Sequence, residues 1–344
     1  MGGVSAAVDA GGGLEELFAD PEVSEILLNG GGRAFVERAG RLEPVPVELD
    51  ESEVRRMVER IIAPLGLRLD RSSPMVDARL PDGSRLHAVL APVAVDGTCV
   101  AIRRFGRGGR QLADFDLPSP SAALLRWAVR AGWNLLLSGG TGAGKTTLLN
   151  ALAGGIPPGE RVVTIEETAE LALDRAHVVR LEARPANAEG AGAVPVRALV
   201  RAALRLRPDR LIIGEVRGEE AFDLLQALNT GHCGSLCTIH ANGPADALAR
   251  LESLVLLAGT GLPVDAIRAQ IRAAVDAVVH VARRAGGRRA VEAVVELTGP
   301  AGLTRLHPPG PGSGLPSRPP RRSDAALLPT GVHFSGTPQV GEPA

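Results

Sequence analysis

The sequence predicts an α/β protein in which a mostly parallel sheet, covered by helices on both faces, follows a smaller α+β domain. Three observations carry this reading. From residue 133 onward, near-continuous Leu, Ile and Val runs alternate with longer helical patterns, as expected of strands buried on both faces. Before residue 105 the runs are shorter and alternate apolar with polar, as half-buried strands do. Between them FGRGGRQLADFDLPSPS, residues 105–121, has the Gly, Pro and polar punctuation of a linker. The expected boundaries are a disordered segment at 1–13, an α+β domain at 14–105, a linker at 106–122, the larger domain at 123–297 and a disordered Pro/Gly-rich tail at 298–344.

In the first domain the pattern gives a helix near Leu14–Ala19, strands at EILL (25–28) and AFVER (34–38), and a helix over 53–62. MVDARL (75–80) and RLHAVL (85–90), joined by Pro81, Asp82 and Gly83, read as a hairpin, and 98–104 as a further strand. In the second domain the apolar strands are WNLLLS (133–138), RVVTI (161–165), HVVRL (177–181), RLIIG (210–214) and SLCTI (235–239). Helical patterns start at Lys145 and run through 196–206, 221–228 and 246–257. In such a sheet ligands bind at the carboxyl ends of the strands.

Composition narrows the function classes. With 38 Lys+Arg against 39 Asp+Glu the formal charge is −1, so no global basic field draws nucleic acid or an anionic membrane. Aromatics are 2% of residues and Tyr is absent, which leaves few platforms for stacking single-stranded bases. Direct nucleic-acid binding is not expected, and with no run approaching ~18 apolar residues a membrane is reached only through partners. Three cysteines, Cys99, Cys233 and Cys237, and a start without a basic and apolar leader pattern point to a reducing, cytoplasmic compartment.

The 38 basic residues are 37 Arg and one Lys. That Lys145 closes the run Gly139, Gly140, Thr141, Gly142, Ala143, Gly144, Lys145, Thr146, which fits G-x-x-x-x-G-K-[ST] between an expected strand and an expected helix and is followed by Thr147. Glycines let the backbone wrap a phosphate, successive N–H groups converge on its oxygens, the Lys reaches the β and γ oxygens, and the Thr146 hydroxyl ligates Mg²⁺. LSGG at 137–140 lies inside this loop and is no separate signature. An Asn-Lys-x-Asp guanine reader would need a second Lys, so ATP is the expected nucleotide.

Hydrolysis also needs carboxylates to direct water and to hold the metal's water shell. Glu215 follows the strand 210–214 as a Walker B acid does, with Arg217 two residues on. Glu166, Glu167 and Glu170 follow the strand 161–165. Their spacing fits either a pair of acids on one helical face or an acidic first helical turn. His232, Cys233, Cys237 and His240 lie within nine residues but lack the paired spacing of a zinc site; the two histidines bracket a strand and are placed either on the γ-phosphate or in purely structural roles. Among the arginines, Arg103 and Arg104 end the first domain, where a cation held across an interface can stabilise charge on a terminal phosphoryl group; Arg85 and Arg180 are weaker candidates.

GGTGAGKTT, VVTIEETAEL and RPDRLIIGEVRGEEAFDLLQALNTGHCGSLCTIHAN, in that order, resemble the phosphate loop, Asp box, Walker B and His box of the type II/type IV secretion ATPase superfamily. Within it the chain is similar to the tight-adherence (Flp) pilus branch, the CpaF type, through DPEVSEILLNG (20–30), SSPMVDARLPDGSRLHAVL (72–90), AIRRF (101–105) and LPVDAIRAQI (262–271). The resemblance implies a RecA-like P-loop NTPase core and a homo-hexameric ATPase ring working on an inner-membrane pilus or secretion platform. By motif position it implies that Lys145 and Thr146 hold phosphate and Mg²⁺, that Glu170 activates water with Glu166 in support, and that Glu215 is the Walker B acid acting on Mg²⁺ through water. It further implies that His232 and His240 form the His-box pair and that Arg103 and Arg104 sense the nucleotide. Glu167 stands where the family usually has Asp, Cys233 where an acid is common and His87 where Asn is usual; the branch's N-terminal extension and usual ending are absent from the sequence. A nucleotide-driven assembly switch and a conjugation-type DNA-secretion ATPase are the alternatives.

Overall fold

The computed structural model describes residues 14–30, 32–38, 41–80, 82–104, 111–186, 190–284, 287–299, 302–307 and 316–322. These divide into two compact units, one within Met1–Gly108 with Pro185–Ala193, the other within Gly109–Arg184 with Val194–Ala344. The segment expected to be disordered at 1–13 lies outside the described residues.

The first unit is a six-stranded antiparallel sheet, β1 (Val23–Asn29), β2 (Arg33–Arg38), β3 (Arg41–Pro46), β4 (Met75–Arg79), β5 (Arg85–Val89) and β6 (Cys99–Arg103), in the order β3-β2-β1-β6-β5-β4. One face buries Ile26, Leu28, Val36, Leu86, Ala88, Val100 and Ile102 in one cluster with Val54, Met57, Val58, Ile61 and Ile62 of α2 (Glu51–Ile62), and Leu14 of α1 (Leu14–Ala19) joins it. α2 starts two residues earlier than the apolar spacing suggests because Asp50 and Glu53 form a capping box, each side chain accepting the other's backbone N–H at 2.8 and 2.7 Å. The hairpin expected at 75–90 forms, with Ala78 opposite Leu86. Strand β3 was not expected. Its Pro44 reads as a breaker, but β3 is the sheet edge, where a missing N–H costs no ladder bond.

The second unit holds eight strands. In chain order they are β7 (Leu135–Gly139), β8 (Val162–Glu166), β9 (Val178–Glu182), β10 (Arg210–Ile213), β11 (Leu236–His240), β12 (Ala277–Arg283), β13 (Arg289–Thr298) and β14 (Gly302–His307). Their order is β14-β13-β12-β7-β11-β10-β8-β9. The six from β12 to β9 are parallel to their neighbours, and β13 and β14 add an antiparallel edge.

Successive residues of each parallel strand enter opposite cores. Leu135, Leu137 and Ile212 pack with α3 (Ser119–Arg130) and α4 (Lys145–Ala153), whereas Leu136, Leu211 and Ile213 pack with α5 (Val196–Ala203), α6 (Glu220–Asn229), α7 (Pro244–Leu257) and α8 (Val264–Ala274). Burial on both faces is why these strands read as unbroken apolar runs.

Two expectations are corrected. Of the linker expected at 106–122, residues 106–110 lie outside the described residues, and 111–122 is not a free connection: Leu112 and Phe115 of a 3-10 turn pack with α3 and α4 in the second unit's core, Phe115 fully buried. Within the tail expected to lack a fold at 298–344, residues 300–301, 308–315 and 323–344 lie outside the described residues, while 302–307 form β14 and 316–322 are held against the core. Asp276 and Glu296, both buried, order that segment. Asp276 accepts from Arg318 Nη1 at 2.7 Å and Arg321 Nε at 2.7 Å, while Glu296 accepts from the backbone of Ser317 and Arg318. A carboxylate out of water demands such partners, and sequence patterning along 316–322 gives no sign of them.

Candidate functional site

The chain leaves β7 at Gly139 and enters α4 at Lys145 through a loop whose glycines are there for stated reasons. Gly142 and Gly144 adopt φ of 69° and 99°, and the Val281 carbonyl of β12 occupies the place a Cβ on Gly139 would need. Lys145, only 7% exposed, turns back into the loop. Its Nζ donates to the carbonyls of Gly139 and Gly140 at 3.0 and 2.9 Å and to His240 Nε2 at 3.1 Å. An ammonium has no lone pair, so Nε2 must accept and the ring stays neutral. Burial, with the Lys145 charge beside it, holds the His240 pKa below the usual 6.5 against the opposing pull of Glu215. Glu215 Oε1 lies 3.9 Å from the same Nε2. The base of the loop is fixed by Ser138 Oγ and His280 Nδ1, 3.0 Å apart in the core.

The parallel strands β8, β10 and β11, all on one side of β7, end along this edge. Glu166, the last residue of β8, is 3% exposed. Its Oε1 accepts from the backbone N–H groups of Glu170 and Leu171 at 2.8 and 2.9 Å, whereas Oε2 is buried with no hydrogen-bond partner among the described residues. Burial pushes its pKa from 4.5 up to about 7, the two N–H groups and Arg180 pulling the other way.

Gly214 makes the close approach possible: a Cβ there would stand 2.9 Å from Glu166 Cγ. Glu215 is held between strands, since Gly214 N donates to Ile165 O and Val216 N to Thr238 O, both at 2.8 Å. Arg217 forms an ion pair with Glu167.

The helical turn weighed for 166–170 does not form; the chain bends after β8, and Glu166 reaches Glu170 through its main chain rather than across a helix face. The histidine pair is also split. His240 sits beside Lys145, but His232 precedes β11, toward the opposite edge of the sheet, where its Nδ1 donates to Ala227 O at 3.1 Å at the end of α6. His232 is therefore a helix-end partner in this chain and is not brought to the phosphate loop. Cys237 lies in the core, its thiol pushed up to about 12 by burial. Among the described residues no three of His, Cys, Asp or Glu converge as metal ligands.

Arg103 and Arg104 belong to the first unit. Arg104 donates to the carbonyls of Asp20 and Val23 and so pins the start of β1, while the exposed Arg103 faces Glu25 across β1 and Arg85 across β5.

Two arginines that sequence reading missed stand beside the loop. A Cβ on Gly144 would meet Arg289 Cδ at 2.5 Å, Arg289 Nη1 lies 3.5 Å from Thr147 Oγ1, and a Cβ on Gly142 would find Arg283 Nη1 at 3.9 Å. The signal that could have found them was the pair of apolar, Val-rich runs AVVHVAR and RAVEAVV around Gly286 and Gly287, which the sequence reading did not assign as strands.

The residues present fit a nucleotide with its magnesium. The loop offers backbone donors at the start of α4, Lys145 makes the contacts an ammonium makes with oxygens, and the orphaned Oε2 of Glu166 calls for a donor such as a metal-bound water. Sheet, loop and acids together define a RecA-like P-loop protein. The profile of the type II/IV secretion system protein family matches residues 9–303, and the chain belongs to that family.

Its relatives agree. A Mycobacterium tuberculosis protein provisionally named for conjugal transfer is 45% identical over 294 residues, covering 82% of this chain and 83% of that one. The type IV secretion system protein PtlH of Bordetella pertussis is 38% identical over 310 residues, covering 79% and 89%. Among solved structures, the Legionella pneumophila ATPase DotB shares the fold at a TM-score of 0.60, with 20% identity over 83% of this chain and 79% of that one. The pilus retraction motor PilT, solved with bound ADP, shares it at 0.58, with 18% identity over 82% and 80%.

Proposed function

We propose that the chain is an ATP hydrolase that assembles as a homo-hexameric ring on the cytoplasmic face of the inner membrane and drives protein secretion or pilus assembly through a membrane platform protein. The observation that carries this is the row Gly140 carbonyl, Lys145, His240, Glu215, which sets one ammonium between a phosphate loop and an acid.

Each residue has a task in this reading. The loop from Gly139 to Thr147 cradles the phosphates, and Lys145 exchanges its carbonyl contacts for β and γ oxygens. Mg²⁺, held by the Thr146 hydroxyl and by Glu215 through water, supplies charge neutralisation on the terminal phosphate when bound. Glu170 orients the attacking water, and Glu166 fixes the backbone from which Glu170 projects. His240 stays neutral and reports the position of Lys145 to Glu215. Arg103 is the cation proposed to meet charge on the terminal phosphate from a neighbouring subunit of the ring.

The relatives' names favour a second reading, a motor for conjugal transfer, over the tight-adherence pilus branch. Tight DNA binding that falls steeply with salt would single it out, because phosphate contacts release counterions. In every reading turnover is the test: phosphate release from ATP and Mg²⁺ by the purified chain, with Lys145→Ala as control. Release well above the control supports the proposal. Release equal to it, with and without platform-bearing membranes, ends it.

A further inference from the structure

We infer that Arg289, paired with Arg283, grips the α-phosphate of the bound nucleotide and so forms a second cationic subsite on the nucleoside side of the phosphate loop; this rests on the nucleotide reading of that loop. The sheet order gives the direction. The acids and His240 follow β8, β10 and β11, all on one side of β7, which places the terminal phosphate there. The nucleoside end then lies over the other side, where β12 and β13 run.

Arg283 and Arg289 are directly opposite each other in the antiparallel β12–β13 pair, so they share a face of the ribbon. It is the face of Val281 and Val291, which pack in the same core as α4, the helix the phosphate loop opens. Arg283 and Arg289 thus continue that apolar stripe beyond the core and arrive beside Gly142 and Gly144. Arg289 also reaches Thr147, one residue past the pair assigned to the β and γ phosphates. A phosphate oxygen receiving a guanidinium fork at this point is the α-phosphate, present in nucleoside diphosphates and triphosphates alike.

The experiment is calorimetric titration of the full chain, Arg289→Ala and Arg289→Gln with ADP and with ATP, Mg²⁺ present, each variant first shown by thermal unfolding to keep the wild-type midpoint. The expected result is a loss of about tenfold for both ligands, the size of one charge-assisted hydrogen bond, with the ratio of ATP to ADP affinity kept. Affinities within twofold of wild type, or a loss confined to ATP, overturn the inference. Tight binding by wild type that Lys145→Ala abolishes shows that the nucleotide reading stands whatever Arg289 does; a wild type that binds neither ligand removes that reading and this inference with it.

Discussion

The Nζ of Lys145 and the Nε2 of His240, 95 residues apart in the chain, are 3.1 Å apart in the fold, and only a neutral imidazole can accept there. Lys145 and the end of β11 are therefore coupled through one hydrogen bond. Its strength depends on pH.

His240 has a pKa below 6.5 in the folded chain, through burial and then the Lys145 charge. The unfolded chain therefore binds the proton more readily, so this group's contribution to stability is complete above the unfolded value and is lost as pH falls through the folded one. His240→Gln keeps a neutral acceptor and removes the titration. Thermal midpoints measured between pH 8 and 5 are expected to fall less for the variant than for wild type. Equal slopes would contradict the coupling.

Glu166 has the opposite sign. Its folded pKa of about 7 lies above the usual 4.5, so the carboxyl's contribution is greatest below 4.5 and declines as pH rises to about 7. Glu166→Gln retains an oxygen for the N–H groups of Glu170 and Leu171 without the charge. At pH 8 the variant is expected to be more stable by about 3 kcal/mol, the worth of the shift, while turnover falls at least about tenfold through loss of the free Oε2. Chemical denaturation and phosphate release check the two halves separately.

Gly214→Ala places a Cβ 2.9 Å from Glu166 Cγ, and the flanking ladder bonds to β8 and β11 leave the backbone little room to retreat. A stability loss of about 1–3 kcal/mol is expected, as for other overpacked sites, together with a fall in turnover because Glu166 and the Glu170 backbone move. Wild-type turnover in this variant would show that the Glu166 position is not needed.

Arg318→Ala with Arg321→Ala strips both guanidinium partners from the buried Asp276, leaving it the Asn134 N–H. Removing the partners of a buried charge costs about 3–5 kcal/mol. Arg305→Ala, at an exposed position of β14, is the control and is expected to cost under about 0.5 kcal/mol. Equal midpoints for the two variants would mean that the segment 316–322 does not hold the fold.

What could be read without coordinates was what is local in the chain. The phosphate loop is one continuous run with a strand before it and a helix after it, so both its residues and its shape were legible. The parallel strands were legible because burial on both faces leaves uninterrupted Leu, Ile and Val.

What was hidden depends on distant partners. The SRPPRR stretch reads as disorder until Asp276 and Glu296 are brought to it, and Pro44 disqualifies β3 only in a sheet interior. The resemblance paired His232 with His240, yet a strand separates its two ends by its whole length, so only the residue at the carboxyl end reaches the loop. Arg289 was missed for the same reason, because its neighbours Gly144 and Thr147 lie more than 140 residues earlier.

Lys145 is the residue on which nucleotide binding turns in the proposed function. Titrating ATP with Mg²⁺ into the folded wild-type chain and into Lys145→Ala, and reading the heat of binding, is the decisive measurement. Saturable binding by wild type that the variant loses is the predicted result. A folded wild type that gives no binding heat across the titration, in agreement with a silent variant, would contradict it.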